Sequence, residues 1–286
     1  MISDVHPPIT AVRDVVARAL QEDLEPLGDL SGSLLGVDRY GEGAFVSRAD
    51  GVLAGRMCAV ETFSSVDPTV RVEFVADDGE EVEQGQRLGT VAGPLPSILA
   101  AERTALNLLG HLSGVASLTR RYVRTARGLV RILDTRKTLP GLRALEKAAV
   151  RAGGGANHRG SLSDGIMLKD NHLAVLGISE GVRRARVRWP GRPVHVECES
   201  ILQVDQAVEA GAERVMLDNM SPAEVAEAVA AVNGRCEVEV TGGIDLRNLV
   251  AYAEAGVNFI SVGALTHSAP ALDISLDIDS GLLAGT

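Results

Sequence analysis

Short apolar runs rich in β-branched residues recur through the second half of the chain and alternate with amphipathic stretches of helical period. The runs occupy residues 130–134, 165–168, 194–198, 214–217, 236–240 and 258–262. Between two of them, Ser221, Pro222 and Glu224 form a capping-box signature that predicts the start of a helix. Strands and helices that alternate at this spacing are typical of βαβ units in a parallel sheet. About six units are present, fewer than the eight of a TIM barrel, so the pattern predicts an open or six-stranded α/β barrel.

The first part of the chain has a different pattern. Residues 9–22 are predicted to be helical, residues 41–93 to form several strands separated by glycines, and residues 97–127 to form one long or broken helix. These elements predict an α+β domain over residues 1–112, followed by the barrel domain over residues 113–269. The tail, residues 270–286, alternates apolar with polar residues from Leu272 to Ile278, which predicts a strand that packs back on the first domain.

Composition narrows the class of protein. With 286 residues, 45% of them hydrophobic and 23% charged, the chain is long enough for one large or two modest globular domains. The beginning of the chain has no basic segment followed by an apolar one, and no apolar run approaches the ~20 residues of a membrane span. The three cysteines contain no CxxC pair, which favours reduced thiols and a cytoplasmic protein. Aromatic residues make up 3% of the chain, too few to favour nucleic-acid binding.

Lysine is concentrated in one segment. All three lysines of the chain fall within residues 134–172, whereas the other 25 of its 28 basic residues are arginines. Residues 131–172 carry eight Lys or Arg against four Asp or Glu, a local charge of +4 in a chain whose net charge is −10. A cationic focus in an acidic protein indicates a small anionic ligand, because a nucleic acid would require a broad basic face.

Part of this segment has a second interpretation. Arg143, Lys147 and Arg151 are spaced four residues apart and equally fit the solvated face of a helix. That interpretation does not cover the basic residues at which the chain leaves or enters strands. They are Arg136, Lys137, His158, Arg159 and Lys169.

Polar residues also follow the other predicted strands of the barrel, whose carboxyl ends should meet at one mouth. Glu197 and Asp218 end two of the strands and could hold Mg²⁺, which favours one or two carboxylates together with substrate phosphates; they equally fit ion pairs with Lys137 and Lys169. After the last two strands, Thr241, Gly242 and Gly243, and then Gly263 and Ala264, fit either a phosphate cradle or ordinary tight turns. No histidine spacing favours a transition metal, and no GxSxG or Cys-His arrangement favours a covalent nucleophile.

The segments DTRKTLPGLRALEKAAVRAGGGANHR and LSDGIMLKDNH resemble the quinolinate phosphoribosyltransferase family. The resemblance extends in order through EDLEPLGDLSGSLL, AERTALNLLGHLSGVAS, MLDNM, TGGI and VGALTHS, and so covers nearly the whole chain. It implies an N-terminal α/β sandwich domain, an incomplete barrel and a homodimer. It also implies transfer of phosphoribosyl from phosphoribosyl pyrophosphate to quinolinate with loss of CO₂, giving nicotinate mononucleotide and pyrophosphate for NAD synthesis with Mg²⁺.

The same resemblance assigns roles to residues. Quinolinate is expected to contact Arg136, His158, Arg159 and Lys169, with Arg103 supplied by the partner subunit. The ribose and the pyrophosphate are expected near Lys137, Glu197 and Asp218, with Mg²⁺ held by the two carboxylates through water. The 5′-phosphate is expected near Thr241, Gly242, Gly243, Gly263 and Ala264.

The sequence departs from the family pattern at three positions. Thr241 stands where Ser is usual, Ser161 where Gly is common and His195 where Glu is common. We expect little effect from the first two, whereas His195 argues against a second acidic role on its strand.

Three rival functions come from other proteins. The segment DDGEEVEQGQRLGTVAG is similar to the hairpins of biotinyl and lipoyl carrier domains, but no lysine precedes Lys137 to carry a swinging arm. The other rivals are a relative linked to molybdate transport and a phosphoribosyltransferase that acts on nicotinate. The intact set of basic residues favours the dicarboxylate quinolinate over both.

Overall fold

The computed structural model describes residues 5–36 and 39–279. The helices are α1 (Ile9–Leu24), α2 (Arg56–Val66), α3 (Leu95–Thr125), α4 (Arg143–Ala152), α5 (Asp170–Leu176), α6 (Ile178–Arg188), α7 (Ile201–Glu209), α8 (Pro222–Val232), α9 (Leu249–Glu254) and α10 (Ala264–His267), with a 3-10 turn at Gly32–Leu34. The strands are β1 (Tyr40–Ser47), β2 (Gly51–Val52), β3 (Arg71–Phe74), β4 (Glu81–Val82), β5 (Arg87–Pro94), β6 (Arg131–Leu133), β7 (Ile166–Leu168), β8 (Val194–Cys198), β9 (Arg214–Asp218), β10 (Glu237–Thr241), β11 (Phe259–Ser261) and β12 (Ile274–Ile278).

The chain folds into two units. The first comprises Met1–Arg120, Thr138–Gly154 and Leu265–Thr286, and the second comprises Arg121–Lys137 and Gly155–Ala264. The boundary predicted after residue 112 falls within α3, which continues through that point without a break. The first unit also includes α4, where Glu146 Oε1 lies 2.9 Å from His111 Nε2 of α3. Because the two residues of this contact are far apart in sequence, the periodicity of hydrophobic residues within each helix does not predict it.

An antiparallel sheet in the order β12-β1-β5-β3 forms the centre of the first unit, and β2 pairs with β4 beside it. Strand β12 pairs with β1, so the part of the tail that the structure describes joins the sheet of this unit. Phe45 on β1 packs against Phe63 of α2, with ring centroids 6.0 Å apart, and the same core includes Ile98 and Leu109 of α3. Helices therefore cover a sheet, as the predicted α/β sandwich requires.

The second unit contains six parallel strands in the order β6-β11-β10-β9-β8-β7. The predicted strands all form, and in the described part of the chain the two end strands, β6 and β7, do not pair, so the barrel is incomplete. The predicted capping box also forms: Ser221 accepts a hydrogen bond from the Glu224 backbone N–H, and Pro222 begins α8. None of the helices in the described residues is long and apolar enough to cross a membrane.

Candidate active site

A cavity of about 660 Å³ opens at the carboxyl ends of the six parallel strands of the second unit. Most of the residues predicted for the site line it, and they come from separate strand ends. They are Arg136, Lys137, His158, Arg159, Lys169, Glu197, Asp218, Thr241, Gly242 and Gly243. The strand-end prediction is thereby confirmed for the placement of these residues, because parallel strands bring their following loops to one edge.

Three predicted residues lie elsewhere. Gly263 and Ala264 follow β11 and are half-buried, but they are not among the described residues that line the cavity. Arg103 belongs to the first unit, where it lies on α3 with an exposed side chain.

Lys169 and Glu197 form an ion pair at the mouth of the cavity. Lys169 Nζ lies 2.5 Å from Glu197 Oε1, and the two side chains are 43% and 12% exposed. Lys169 stands between β7 and α5, where its backbone N–H donates to His172 Nδ1 at 3.1 Å. The ion-pair interpretation of Glu197 is therefore correct for Lys169, and it leaves the carboxylate within the cavity.

A buried aspartate, Asp134, holds the loop that carries His158 and Arg159. Its Oδ1 accepts the backbone N–H of His158 at 2.8 Å, and its Oδ2 accepts the Asn157 amide at 2.6 Å. The Asp134 side chain is fully buried at the end of β6, so the loop is tied to the end of that strand. Asp134 was not predicted as a site residue, although it precedes Arg136 in the motif that carried the resemblance.

The Arg159 guanidinium is held by two acceptors at the cavity wall. Its Nη1 donates to the Gly165 carbonyl oxygen at 3.0 Å, and its Nη2 lies 3.4 Å from Met167 Sδ. Burial, and then the like charge of Arg136, lower the pKa of Arg159. The group stays protonated, because an arginine in a protein is charged at any ordinary pH. Arg136 and Arg159 thus place two like charges in a partly buried part of the cavity wall, and an anion bound between them would stabilise both.

The prediction missed a charged cluster further inside the barrel. Glu239 on β10 is fully buried, and its Oε2 lies 2.7 Å from Arg214 Nη1 and 3.3 Å from His158 Nε2. Although burial raises the pKa of Glu239, the contact with His158 and the charge and hydrogen bond of Arg214 outweigh it, and the pKa lies below its usual value. The available signal was the period of two along β10, which places Glu239 on the same face as Thr241.

His195, the residue that departs from the family pattern, belongs to this cluster. Its ring lies edge-on to the ring of His158, with centroids 5.5 Å apart. Burial, followed by the charge of Arg214, lowers the pKa of His195 to about 4. The imidazole is therefore neutral at neutral pH and takes no acidic role.

The glycine turn after β10 requires glycine for a steric reason. Gly242 has a φ of +86°, and a Cβ there would lie 2.9 Å from Asp218 Oδ1. The turn is tied to the neighbouring strand, since the Asn219 N–H donates to the Thr241 carbonyl oxygen at 3.1 Å. The tight-turn interpretation of these glycines is thus correct, and it does not compete with a role in phosphate binding.

The carboxylates of the cavity suit a magnesium ion that shares its ligands with water and phosphate better than a metal whose ligands all come from the protein. No group of three or more His, Cys, Asp or Glu within the described residues could hold a metal ion. Glu197 and Asp218 both line the cavity as single carboxylates from adjacent strands. One or two carboxylates, with the remaining positions filled by water and phosphate oxygens, is the arrangement that Mg²⁺ favours.

Comparisons with known proteins agree with this geometry. Residues 29–113 match the N-terminal domain of quinolinate phosphoribosyl transferase, and residues 115–277 match its C-terminal domain. A probable nicotinate-nucleotide pyrophosphorylase [carboxylating] from Bacillus subtilis is 42% identical over 88% of this chain and 88% of its own length. The corresponding enzyme of Mycobacterium leprae is 40% identical over 97% of this chain and 100% of its own length.

Solved structures extend the agreement to three dimensions. The nicotinate-nucleotide pyrophosphorylase of Francisella tularensis superposes with a TM-score of 0.92 at 36% identity, over 97% of this chain and 99% of that one. Both domains and nearly the full length are matched. The chain therefore belongs to the quinolinate phosphoribosyltransferase family.

Proposed function

We propose that this protein transfers the phosphoribosyl group of phosphoribosyl pyrophosphate to quinolinate and releases CO₂ and pyrophosphate, giving nicotinate mononucleotide for de novo NAD synthesis. One observation carries the proposal: a single cavity is lined both by basic side chains and by carboxylates. The basic side chains are Arg136, Lys137, His158, Arg159 and Lys169, and the carboxylates are Asp170, Glu197, Glu199 and Asp218. The names of the relatives from Bacillus and Mycobacterium support the same reaction.

The basic part of the wall is suited to a dicarboxylate. We assign quinolinate to Arg136, His158, Arg159 and Lys169. The lowered pKa of Arg159, due to burial and to the charge of Arg136, supports this assignment, because an anion between the two guanidiniums would relieve their repulsion. Quinolinate brings two carboxylates to this wall and nicotinate brings one.

The acidic part of the wall is assigned to the sugar and its leaving group. Glu197 and Asp218 would face the ribose and would hold Mg²⁺ through water, and Lys137, whose side chain is exposed, would reach the pyrophosphate; all three residues line the cavity. Magnesium, when bound, would neutralise part of the charge on that leaving group. The 5′-phosphate is assigned to the turns at Thr241–Gly243 and Gly263–Ala264, where backbone N–H groups of glycine-rich turns suit a phosphate.

The residues act mainly by positioning and by charge. Departure of pyrophosphate from the anomeric carbon gives a transition state with oxocarbenium character, which nearby carboxylates stabilise. The pyridine nitrogen then attacks that carbon and becomes a cationic ring nitrogen. Loss of the 2-carboxylate as CO₂ leaves its electron pair on the adjacent carbon, where the ring cation stabilises it until a proton arrives. The cationic wall holds two mutually repelling anions close enough to react.

We also propose a homodimer in which each cavity receives Arg103 from the partner subunit. The exposed position of Arg103 on α3 is compatible with such a contribution. A cytoplasmic location agrees with the free state of Cys58, Cys198 and Cys236. Burial raises the pKa of the Cys58 and Cys198 thiols to about 12, which makes both unreactive.

The test is the formation of nicotinate mononucleotide when quinolinate and nicotinate are offered separately with phosphoribosyl pyrophosphate. Leaving a buried cation without its carboxylate typically costs ~2–5 kcal/mol, or roughly 30- to several-thousand-fold in binding. We therefore expect kcat/KM for quinolinate to exceed that for nicotinate by at least ~30-fold. Comparable values for the two pyridines would refute the proposal and favour the rival that acts on the monocarboxylate.

A pair of variants locates the dicarboxylate. Arg159→Ala is expected to weaken quinolinate binding by at least ~10-fold. Binding of phosphoribosyl pyrophosphate should change much less, because it rests on other strand ends. Arg183→Ala is the matched control, since Arg183 is an exposed arginine on α6 paired with Glu180 at 2.6 Å. An equal effect of both variants would argue against a quinolinate site at Arg159.

A further inference from the structure

Glu239 is a buried carboxylate that lies beneath the cavity and has no assigned role. Its side chain is fully buried, and a single oxygen, Oε2, serves both Arg214 Nη1 at 2.7 Å and His158 Nε2 at 3.3 Å. Burying a carboxylate costs free energy unless opposite charges and hydrogen bonds compensate for the lost hydration. Arg214 accounts for one of these contacts through its Nη1, while its Nε and Nη2 donate to the exposed Glu237 at 3.0 and 2.7 Å. The contact with His158 is the remaining one.

The protonation of His158 follows from its other nitrogen. Nδ1 accepts the backbone N–H of Arg159 at 2.7 Å, so Nδ1 carries no proton. In a neutral imidazole the proton must then lie on Nε2, the nitrogen that faces Glu239 Oε2. The 3.3 Å contact is an electrostatic one that does not meet hydrogen-bond geometry: an N–H on the Nε2 that faces the carboxylate is favourable, whereas a lone pair in the same place would be repelled. The His158 side chain is 5% exposed, so water does not compete for either nitrogen.

We propose that Glu239 is a positioning residue for the pyridine dicarboxylate site: it holds the Nε2–H edge of His158, and the opposite edge of the ring thereby holds the Arg159 backbone against the cavity. The chain of contacts runs from β10 through the imidazole to the residue assigned to quinolinate, and the inference rests on the function proposed above. Glu239 touches no substrate in this arrangement. Its effect is expected mainly at the wall that carries Arg159, because Glu197 and Asp218 belong to other strands, β8 and β9.

The cluster around His158 supports a positional role. Three further groups surround the ring: Asp134 holds the His158 backbone N–H, His195 packs edge-on, and Arg214 shares the glutamate. The Arg214 guanidinium lies 4.0 Å from the centroid of the Phe259 ring, which fixes it independently of Glu239. The backbone and the arginine are therefore anchored without Glu239, which leaves the Nε2 edge of the imidazole as the part of this cluster that Glu239 faces.

The first test needs no variant and no substrate. Nitrogen-15 spectra of the histidine side chains, with His158 assigned by comparison with His158→Gln, are expected to show a proton on Nε2 that is protected from exchange and no proton on Nδ1. Finding the proton on Nδ1 would overturn the proposal. Because this readout does not involve turnover, it remains valid if the enzyme acts on another substrate, in which case only the proposed function fails.

The second test separates the two substrates kinetically. Glu239→Leu removes the carboxylate that faces His158 Nε2 and is expected to raise KM for quinolinate about tenfold, the order of effect of losing one interaction with a charged group. KM for phosphoribosyl pyrophosphate should stay within about twofold. Glu239→Gln keeps an acceptor oxygen and should restore most of the quinolinate KM.

The matched control is Glu237→Leu, which removes the other carboxylate partner of Arg214 but does not touch His158. Its quinolinate KM should remain near that of the unmodified protein. A folded Glu239→Leu protein with unchanged quinolinate KM, or a Glu237→Leu protein with the same rise, would overturn the proposal. If Glu239→Leu does not fold, the proton position on His158 and the Glu239→Gln protein decide the question.

Discussion

Glu197→Gln is expected to lower turnover strongly while leaving the fold and the quinolinate site intact. The substitution keeps the shape of the side chain and removes its charge. Glu197 Oε1 lies 2.5 Å from Lys169 Nζ, but the lysine side chain is 43% exposed. Pairs with this exposure contribute at most ~1 kcal/mol to folding, so the free energy of unfolding should fall by ~1 kcal/mol or less. Loss of charge stabilisation in the transition state, at ~3 kcal/mol, corresponds to ~100-fold in kcat.

The same substitution, Glu197→Gln, should not weaken the binding of quinolinate, although it lowers turnover. In the unmodified protein Glu197 competes with a substrate carboxylate for the Lys169 ammonium. Removing the competitor frees up to ~1 kcal/mol, so quinolinate should bind equally well or as much as ~5-fold more tightly. Calorimetric titration with quinolinate gives the dissociation constant, steady-state kinetics give kcat, and urea denaturation gives the free energy of unfolding.

Glu199→Gln provides the matched control for this experiment. Glu199 lines the same cavity beyond the end of β8, is exposed, and has its backbone N–H bound to Gln203 Oε1 at 2.6 Å. We expect its kcat to remain within about twofold of the unmodified protein, because no role at the reacting atoms is assigned to it. A Glu197→Gln protein with near-normal kcat, or with tenfold weaker quinolinate binding, would refute the reasoning. Equal losses in the two variants would show that only the general charge of the rim matters.

Three further predictions concern the partner subunit, the glycine turn and pH. Mixed dimers of Arg103→Ala and Lys137→Ala protomers should regain part of the activity, because each hybrid contains one intact site; re-equilibrated mixtures as inactive as the parents would argue against a shared site. In urea denaturation, Gly242→Ala should lose more stability than Gly243→Ala. Both positions have a positive φ, which costs an L-residue ~1–2 kcal/mol, but only a Cβ at position 242 would meet other side chains. Equal losses of stability in the two variants would contradict this prediction. Burial lowers the pKa of His195 from 6.5 to about 4, so protons bind preferentially to the unfolded chain between these two pH values. The free energy of unfolding should therefore decrease as the pH falls from 6.5 to 4, by at most ~1.4 kcal/mol per pH unit. His195→Gln should reduce this pH dependence of stability, and an unchanged slope would contradict the prediction.

Local patterns in the sequence determined the elements and the edge of the sheet that carries the site. Apolar runs predicted all six parallel strands, because a strand buried on both faces is apolar along its length. Since parallel strands share one direction, the polar residues after them had to meet at one mouth. Lys169, Glu197 and Asp218 line the cavity for that reason. The long motif around Arg136 and Lys137 supplied the family, which spacing alone did not.

Only the tertiary structure showed the features that depend on contacts between residues far apart in the sequence, namely the position of α4 and the burial of Glu239. Local patterns did not indicate that α4 belongs with the first unit, where Glu146 of α4 contacts His111 of α3. Glu239 also escaped prediction, because a charged residue within a strand is buried only when partners are available, and its partners, His158 and Arg214, come from a loop and from another strand. Hydrophobic periodicity records which face of an element is buried, and only the folded chain brings together the charges that make burial of a carboxylate possible.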